Sequence, residues 1–279
     1  MTPDVLHPRH DSLTTGLTFV PTDALVVSPT VDRSSARRFV AACVDLGVDL
    51  AFVPAGKPWA AEAIAALTDT GIAPFWAVDG PFWPVIEDYG IIEGLRATLT
   101  RPEEITAAID HRIATMRQLI ETGIGLGARA IVIAEDLAGS EGPLVAPDFA
   151  IDVLMPRFGE LVGLAATQAV PTVLHSDGDI RSLLQATARA GFSGVHAGGG
   201  LDFDGFEQLF RAARREDLVV MGGLQTVELS KGLSSAVVLG SRAGVLARLG
   251  GLILADDGGI TEPMQYAAFV SAISAARDI

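Results

Sequence analysis

Short apolar runs alternate along the chain with longer stretches whose apolar residues recur every three or four positions. Runs of the first kind, rich in β-branched residues and bounded by Gly or Pro, mark strands buried on both faces; the longer spacing is that of amphipathic helices. Eight runs qualify: residues 23–28, 50–55, 73–78, 130–134, 171–174, 194–197, 218–221 and 252–255. A helical stretch follows each. The longest is led by Thr100 and Glu103 in a capping-box pattern and carries Ile105, Ile109, Ile113, Met116 and Ile120 on one face. Asp204 and Glu207 suggest a second box, Thr261 opens the last helix, and Pro156 is placed to kink the helix after the fourth strand.

Eight strand–helix repeats without a shift in composition predict a single (β/α)₈ TIM barrel over residues 23–279, preceded by an N-terminal arm over residues 1–22. An open doubly wound sheet is the alternative, and the regular repetition favours closure.

Parallel barrels carry their chemistry at the C-terminal ends of the strands. The stretch 171–179 reads Pro-Thr-Val-Leu-His-Ser-Asp-Gly-Asp, a buried strand that delivers His175 and Asp177 into a Gly178 turn. Two residues apart on extended chain, these side chains share a side, and Leu174 and Ser176 take the other. The remaining strand ends supply Asp79, the pair Glu135 and Asp136, His196, Gln225 after Gly222-Gly223, and Asp256 beside Asp257. Of Glu135 and Asp136, one should face the mouth. Two chemistries suit such a set. His with carboxylates can hold a divalent metal such as Zn²⁺. Crowded carboxylates can instead keep one another protonated, serve as general acids or bind a cation. The plain alternative is that His175 ends a strand and Asp177 starts a helix. A His among carboxylates is expected to be charged unless a metal holds it. Trp76, and Phe82 with Trp83 in a Gly-Pro-Phe-Trp-Pro loop, offer a wall for a flat substrate.

Composition narrows the field. Hydrophobic residues make up 49% and charged ones 19%, ample for a large core. A net charge of −14 with no basic cluster excludes nucleic-acid binding. No apolar run reaches the roughly 18 residues of a membrane span, and the first residues lack a signal-peptide core, so the expectation is a cytoplasmic protein without a membrane partner. Cys43, the single cysteine, rules out an intrachain disulfide and a multi-thiolate metal site; its apolar stripe makes it a buried hydrophobe.

Several motifs taken together resemble the uroporphyrinogen decarboxylase superfamily. They are Gly80-Pro81-Phe82, Thr100–Glu104 at a helix start, Glu135-Asp136-Leu137-Ala138-Gly139, Pro147-Asp148-Phe149 with Pro156, His175-Ser176-Asp177-Gly178, Gly222-Gly223 and Gly258-Gly259-Ile260. The match runs from Ala73 to the C-terminus, roughly three quarters of the chain. The resemblance implies the same barrel, and with it a homodimer. The decarboxylases' Arg-rich N-terminal segment is missing, and Gly222-Gly223-Leu224-Gln225 stands where they carry Gly-Asn-Leu-Asp. The acidic mouth also ill suits a substrate rich in carboxylates.

The superfamily's other branch, methyltransferases that work with corrinoid proteins, often binds zinc through a His-x-Cys pair and a later Cys. Here His175 matches, Asp177 replaces the first Cys, and Gly258 falls near the second. The resemblance therefore implies a zinc site of His175, Asp177 and Glu135 or Asp136. The expected activity is transfer of a methyl group between a small, methoxylated aromatic substrate and a corrinoid protein. His175, Asp177, Glu135 and Asp136 would be catalytic, with Asp79, Trp76, Phe82, Trp83, His196, Gln225 and Asp256 around the substrate. A metal-independent decarboxylase of a small acid is the second reading, and a catalytically inactive binding barrel the third.

Overall fold

Eight parallel strands close into a barrel in simple sequential order. They are β1 (Thr15–Leu17), β2 (Leu50–Pro54), β3 (Ala73–Asp79), β4 (Ala130–Ala134), β5 (Thr172–Ser176), β6 (Gly194–Ala197), β7 (Val219–Leu224) and β8 (Leu252–Asp256). Helices separate them in chain order, as a (β/α)₈ barrel requires. The computed structural model describes residues 13–18 and 35–279.

Seven of the expected strands fall where the apolar runs place them, within three residues at either end. The first does not. β1 pairs with both β8 and β2, so Thr15–Leu17 closes the barrel from within the stretch expected to be an arm. The expected strand over residues 23–28 lies outside the described residues. Three residues set among threonines give too short an apolar run to be read as a strand; their partners on either side define it.

Each strand is packed on both faces, and this is why the runs are almost continuously apolar. Leu50, Phe52, Phe75, Val132, Val173, Met221 and Ile253 fill the barrel interior. Trp76, Val78, Ile131, Ile133, Leu174, Val195 and Leu254 lie in the outer layer beneath the helices. Strict alternation therefore decides what reaches the mouth. Just past the end of β4, Glu135 shares its side with Ile131 and Ile133, while Asp136 continues the inward series of Ala130 and Val132. On β5, Val173, His175 and Asp177 face inward.

Helix boundaries depart from the sequence patterns where a proline or a better cap intervenes. Thr100 ends the helix Ile91–Thr100, its hydroxyl donating back to the Arg96 carbonyl. The long helix Pro102–Gly125 begins afresh at Pro102, a residue suited to a first helical position. Asp202 rather than Asp204 caps the helix Phe203–Arg215, accepting from Gly205 N. Glu262 and Gln265 form the reciprocal box that opens Pro263–Arg277. Ahead of Pro156, which has no N–H to donate, the chain makes a π-turn over Ala150–Leu154.

Candidate functional site

The end of β5 delivers His175 and Asp177 to the same side, where they meet Asp136 from β4. One candidate ligand atom from each of the three lies within 4.8 Å of the others. His175 Nε2 is 3.9 Å from Asp136 Oδ1, and Asp177 N donates a long hydrogen bond of 3.4 Å to the same oxygen. Gly178 allows the turn that follows: its φ is +78°, and a Cβ there would strike the backbone of Gly139. Ser176 faces away, accepting from Leu137 N and donating to the Asp177 carbonyl, which fastens the β4 and β5 loops together.

Below this trio the two histidines form a pair. His196 Nε2 lies 2.8 Å from the Asp256 carbonyl oxygen, and His175 Nδ1 lies 2.7 Å from His196 Nδ1. A carbonyl only accepts, so His196 carries its proton on Nε2 and its Nδ1 accepts. His175 must then donate from Nδ1, and its lone pair sits on Nε2, the nitrogen nearest Asp136. The rings stack at 4.8 Å, and Phe52 abuts His196 edge-on at 5.5 Å. Burial holds His175 well below the usual histidine range, with His196 adding to the effect. Burial also lowers His196, against the pull of the Asp256 carbonyl and the Asp257 carboxylate. This runs against the expectation of a charged His175: burial favours the neutral form of both rings.

The carboxylates respond in the opposite direction. Burial, then Asp136 and Asp257, raise Asp177 to about 6. Asp136 is also raised, chiefly by burial. Asp177 Oδ1 is buried with no hydrogen-bond partner. Asp257, almost fully buried and raised by burial, accepts from both the backbone N and the hydroxyl of Thr226.

Several expected site residues are engaged elsewhere. Glu135 does not join the group around His175: its two oxygens accept from Phe82 N at 2.6 Å and Trp83 N at 2.8 Å. It ties down the loop after β3 from the outer side, against Gly80, which has no room for a Cβ. Burial pushes Glu135 up to about 8, with the two N–H donors pulling the other way. Phe82 is fully buried 6.1 Å from Phe149, and Trp76 lies in the outer layer with its indole N–H on the Leu119 carbonyl. Trp83 donates its indole N–H to Glu87. The expected aromatic wall is thus a packing arrangement around the β3 loop. Asp256 accepts from Thr18 N, the Thr18 hydroxyl and Gly259 N, so it stitches β8 to β1. His196 is wholly buried beneath His175. Gln225 is 3% exposed at the end of β7, and neither of its amide atoms has a partner. Asp79 is exposed at the end of β3 and borders a separate cavity.

The three residues fit a divalent ion: one imidazole nitrogen bearing a lone pair and two carboxylates, one with an unpartnered buried oxygen. Ligands in a tetrahedral site sit about 3.4 Å apart, given bonds of about 2.1 Å, so binding would draw the trio inward.

No protein-family model matches the chain, and no curated protein does. Among solved structures, a methyltransferase from Methanosarcina mazei superposes with a TM-score of 0.74 at 15% identity, covering 99% of this chain and 96% of that one. A class V chitinase from Pseudomonas fluorescens Pf-5 gives 0.59 at 10% identity over 93% and 99% of the two chains. A chitinase from Chromobacterium violaceum ATCC 12472 gives 0.56 at 11% over 94% and 99%. At these identities the likeness is one of fold, and the fold is the barrel that the motif resemblance implied. Among the described residues no helix is long and apolar enough to cross a membrane.

Proposed function

We propose that the chain is a metal-dependent methyltransferase. It would take a methyl group from a small methoxylated aromatic substrate, with a corrinoid protein as methyl acceptor. The observation that carries the reading is the convergence of Asp136, His175 and Asp177 at the mouth, with the His175 lone pair directed by His196. The whole-length likeness to a methyltransferase fold and the motif resemblance support the choice of chemistry.

The chain's own residues divide the work. His196 fixes the His175 tautomer, Phe52 packs edge-on against His196, and burial favours the neutral form of the pair. Asp136 and Asp177 supply negative charge, and burial, with repulsion from Asp136 and Asp257 adding to it, holds Asp177 high in the absence of a cation. A bound Zn²⁺ would supply Lewis acidity toward the substrate's ether oxygen.

The test starts with metal. Protein purified without a polyhistidine tag should bind about one divalent ion per chain by elemental analysis. Metal-loaded protein should then demethylate 2-methoxyphenol in the presence of added cob(I)alamin, followed by absorbance. Release of carbon dioxide from a small acid by metal-free protein would replace this reading with the decarboxylase. Ligand binding without turnover would leave a binding barrel.

A further inference from the structure

A second cavity, of about 640 Å³, opens between the ends of β2 and β3 and the middle of the helix Pro102–Gly125. Lys57, Asp79, His111 and Arg112 line it, with Pro54 and Leu119 among the apolar walls. The lining is unusual for a chain with 34 acidic and 20 basic residues. On the same helix Arg117 meets Glu160, and Arg157 reaches across to Asp110. Lys57 is one of two lysines in the chain. The other, Lys231, pairs with Glu228.

Arg112 is half-buried and its Nε is buried without a hydrogen-bond partner; among the described residues it forms no salt bridge, and its charge acts on the buried Glu135 only at a distance. Among the described residues Lys57 also makes no salt bridge, and neither cation has engaged Asp79, although all three border one space. A buried guanidinium Nε without an acceptor is unfavourable, and an oxyanion is the group whose geometry the guanidinium fork matches. The volume is that of a small-molecule site.

We propose that this cavity binds a small molecule through an oxyanion, a carboxylate or a phosphate, held by Arg112 and Lys57. Asp79 receives a hydroxyl or amine of the same ligand. The site is separate from the histidine trio. Asp79 is in register with Ala134, and Ala134 with His175, so the cavity begins two strands round the barrel from His175. The proposal does not depend on a metal being bound there.

Calorimetric titration of the purified chain at low ionic strength tests it, with sodium benzoate and inorganic phosphate as separate probes. One of the two should bind with a Kd in about the millimolar range or tighter, and which one binds decides between carboxylate and phosphate. Arg112→Gln should weaken that binding about tenfold or more, and Lys57→Gln in the same direction. Arg117→Gln, on the same helix but outside the cavity, should leave it unchanged. Lys57 lies on an exposed loop, so Lys57→Gln keeps the test valid should Arg112→Gln fail to fold. Metal content, measured in parallel, should be the same in all variants, which separates this outcome from the fate of the metal reading. Absence of binding by both probes, or equal affinity in wild type, Arg112→Gln and Lys57→Gln, would overturn the proposal.

Discussion

His175 and His196 face each other through their Nδ1 atoms at 2.7 Å, and the Asp256 carbonyl on the far side of His196 decides which ring donates. A relay that begins at a backbone oxygen thus sets the nitrogen that His175 shows to Asp136 and Asp177. His196→Phe keeps a flat ring against Phe52 and removes the acceptor. Metal affinity should fall about 10- to 100-fold, as for other groups that orient a metal-binding histidine, with the far-ultraviolet circular dichroism unchanged. Unaltered affinity in a folded His196→Phe protein would remove His196 from the site.

Asp177 gives the metal-free protein a pH signature of known sign. Its carboxyl sits at about 6 in the fold and at about 3.9 in the unfolded chain. Between those values the folded state holds a proton that the unfolded chain has lost, so stability falls as pH rises through this window and stays lower above it. Asp177→Asn should therefore stabilise the metal-free protein at pH 8, by about 1 kcal/mol once solvent screening is allowed for, and change little at pH 4. The same variant should abolish the rise in Tm that Zn²⁺ produces in the wild type. Denaturant titrations at the two pH values decide the first point, and a thermal scan with metal the second.

Two neighbouring residues just past β4 should separate structure from chemistry. Glu135→Ala leaves the Phe82 and Trp83 N–H groups without their acceptor and should destabilise the fold by about 2–4 kcal/mol, with metal bound per folded chain unchanged. Asp136→Asn should do the reverse, losing metal with little change in Tm. Elemental analysis alongside urea unfolding would expose an exchange of these roles.

Gly178 fixes the direction in which β5 leaves the barrel. Gly178→Ala forces a side chain into a left-handed conformation and against the Gly139 backbone. The loss should be about 2–4 kcal/mol, read from the urea midpoint. A fully stable Gly178→Ala chain would mean that the turn can relax, and that the placement of Asp177 is set by other contacts.

The barrel is legible in the pattern of apolar runs. Seven of its strands are buried on both faces, so each is a continuous apolar run that stands out from the helices around it, and His175 and Asp177 end one of them. Their shared orientation follows from the two-residue period of extended chain alone. The remaining features depend on contacts between strands distant in sequence. A strand apolar on both sides gives no local sign of which side faces in, so Ala130–Ala134 could not tell Glu135 from Asp136 as the mouth residue. The neutrality of His175 depends on His196 and on burial, and both come from strands distant in sequence. Trp76, Phe82 and Asp256 were drawn into packing and backbone hydrogen bonds by partners that only the closed barrel brings near. Thr15–Leu17 is a strand because β8 and β2 leave it two edges to pair with, a property of barrel closure that three residues cannot carry alone.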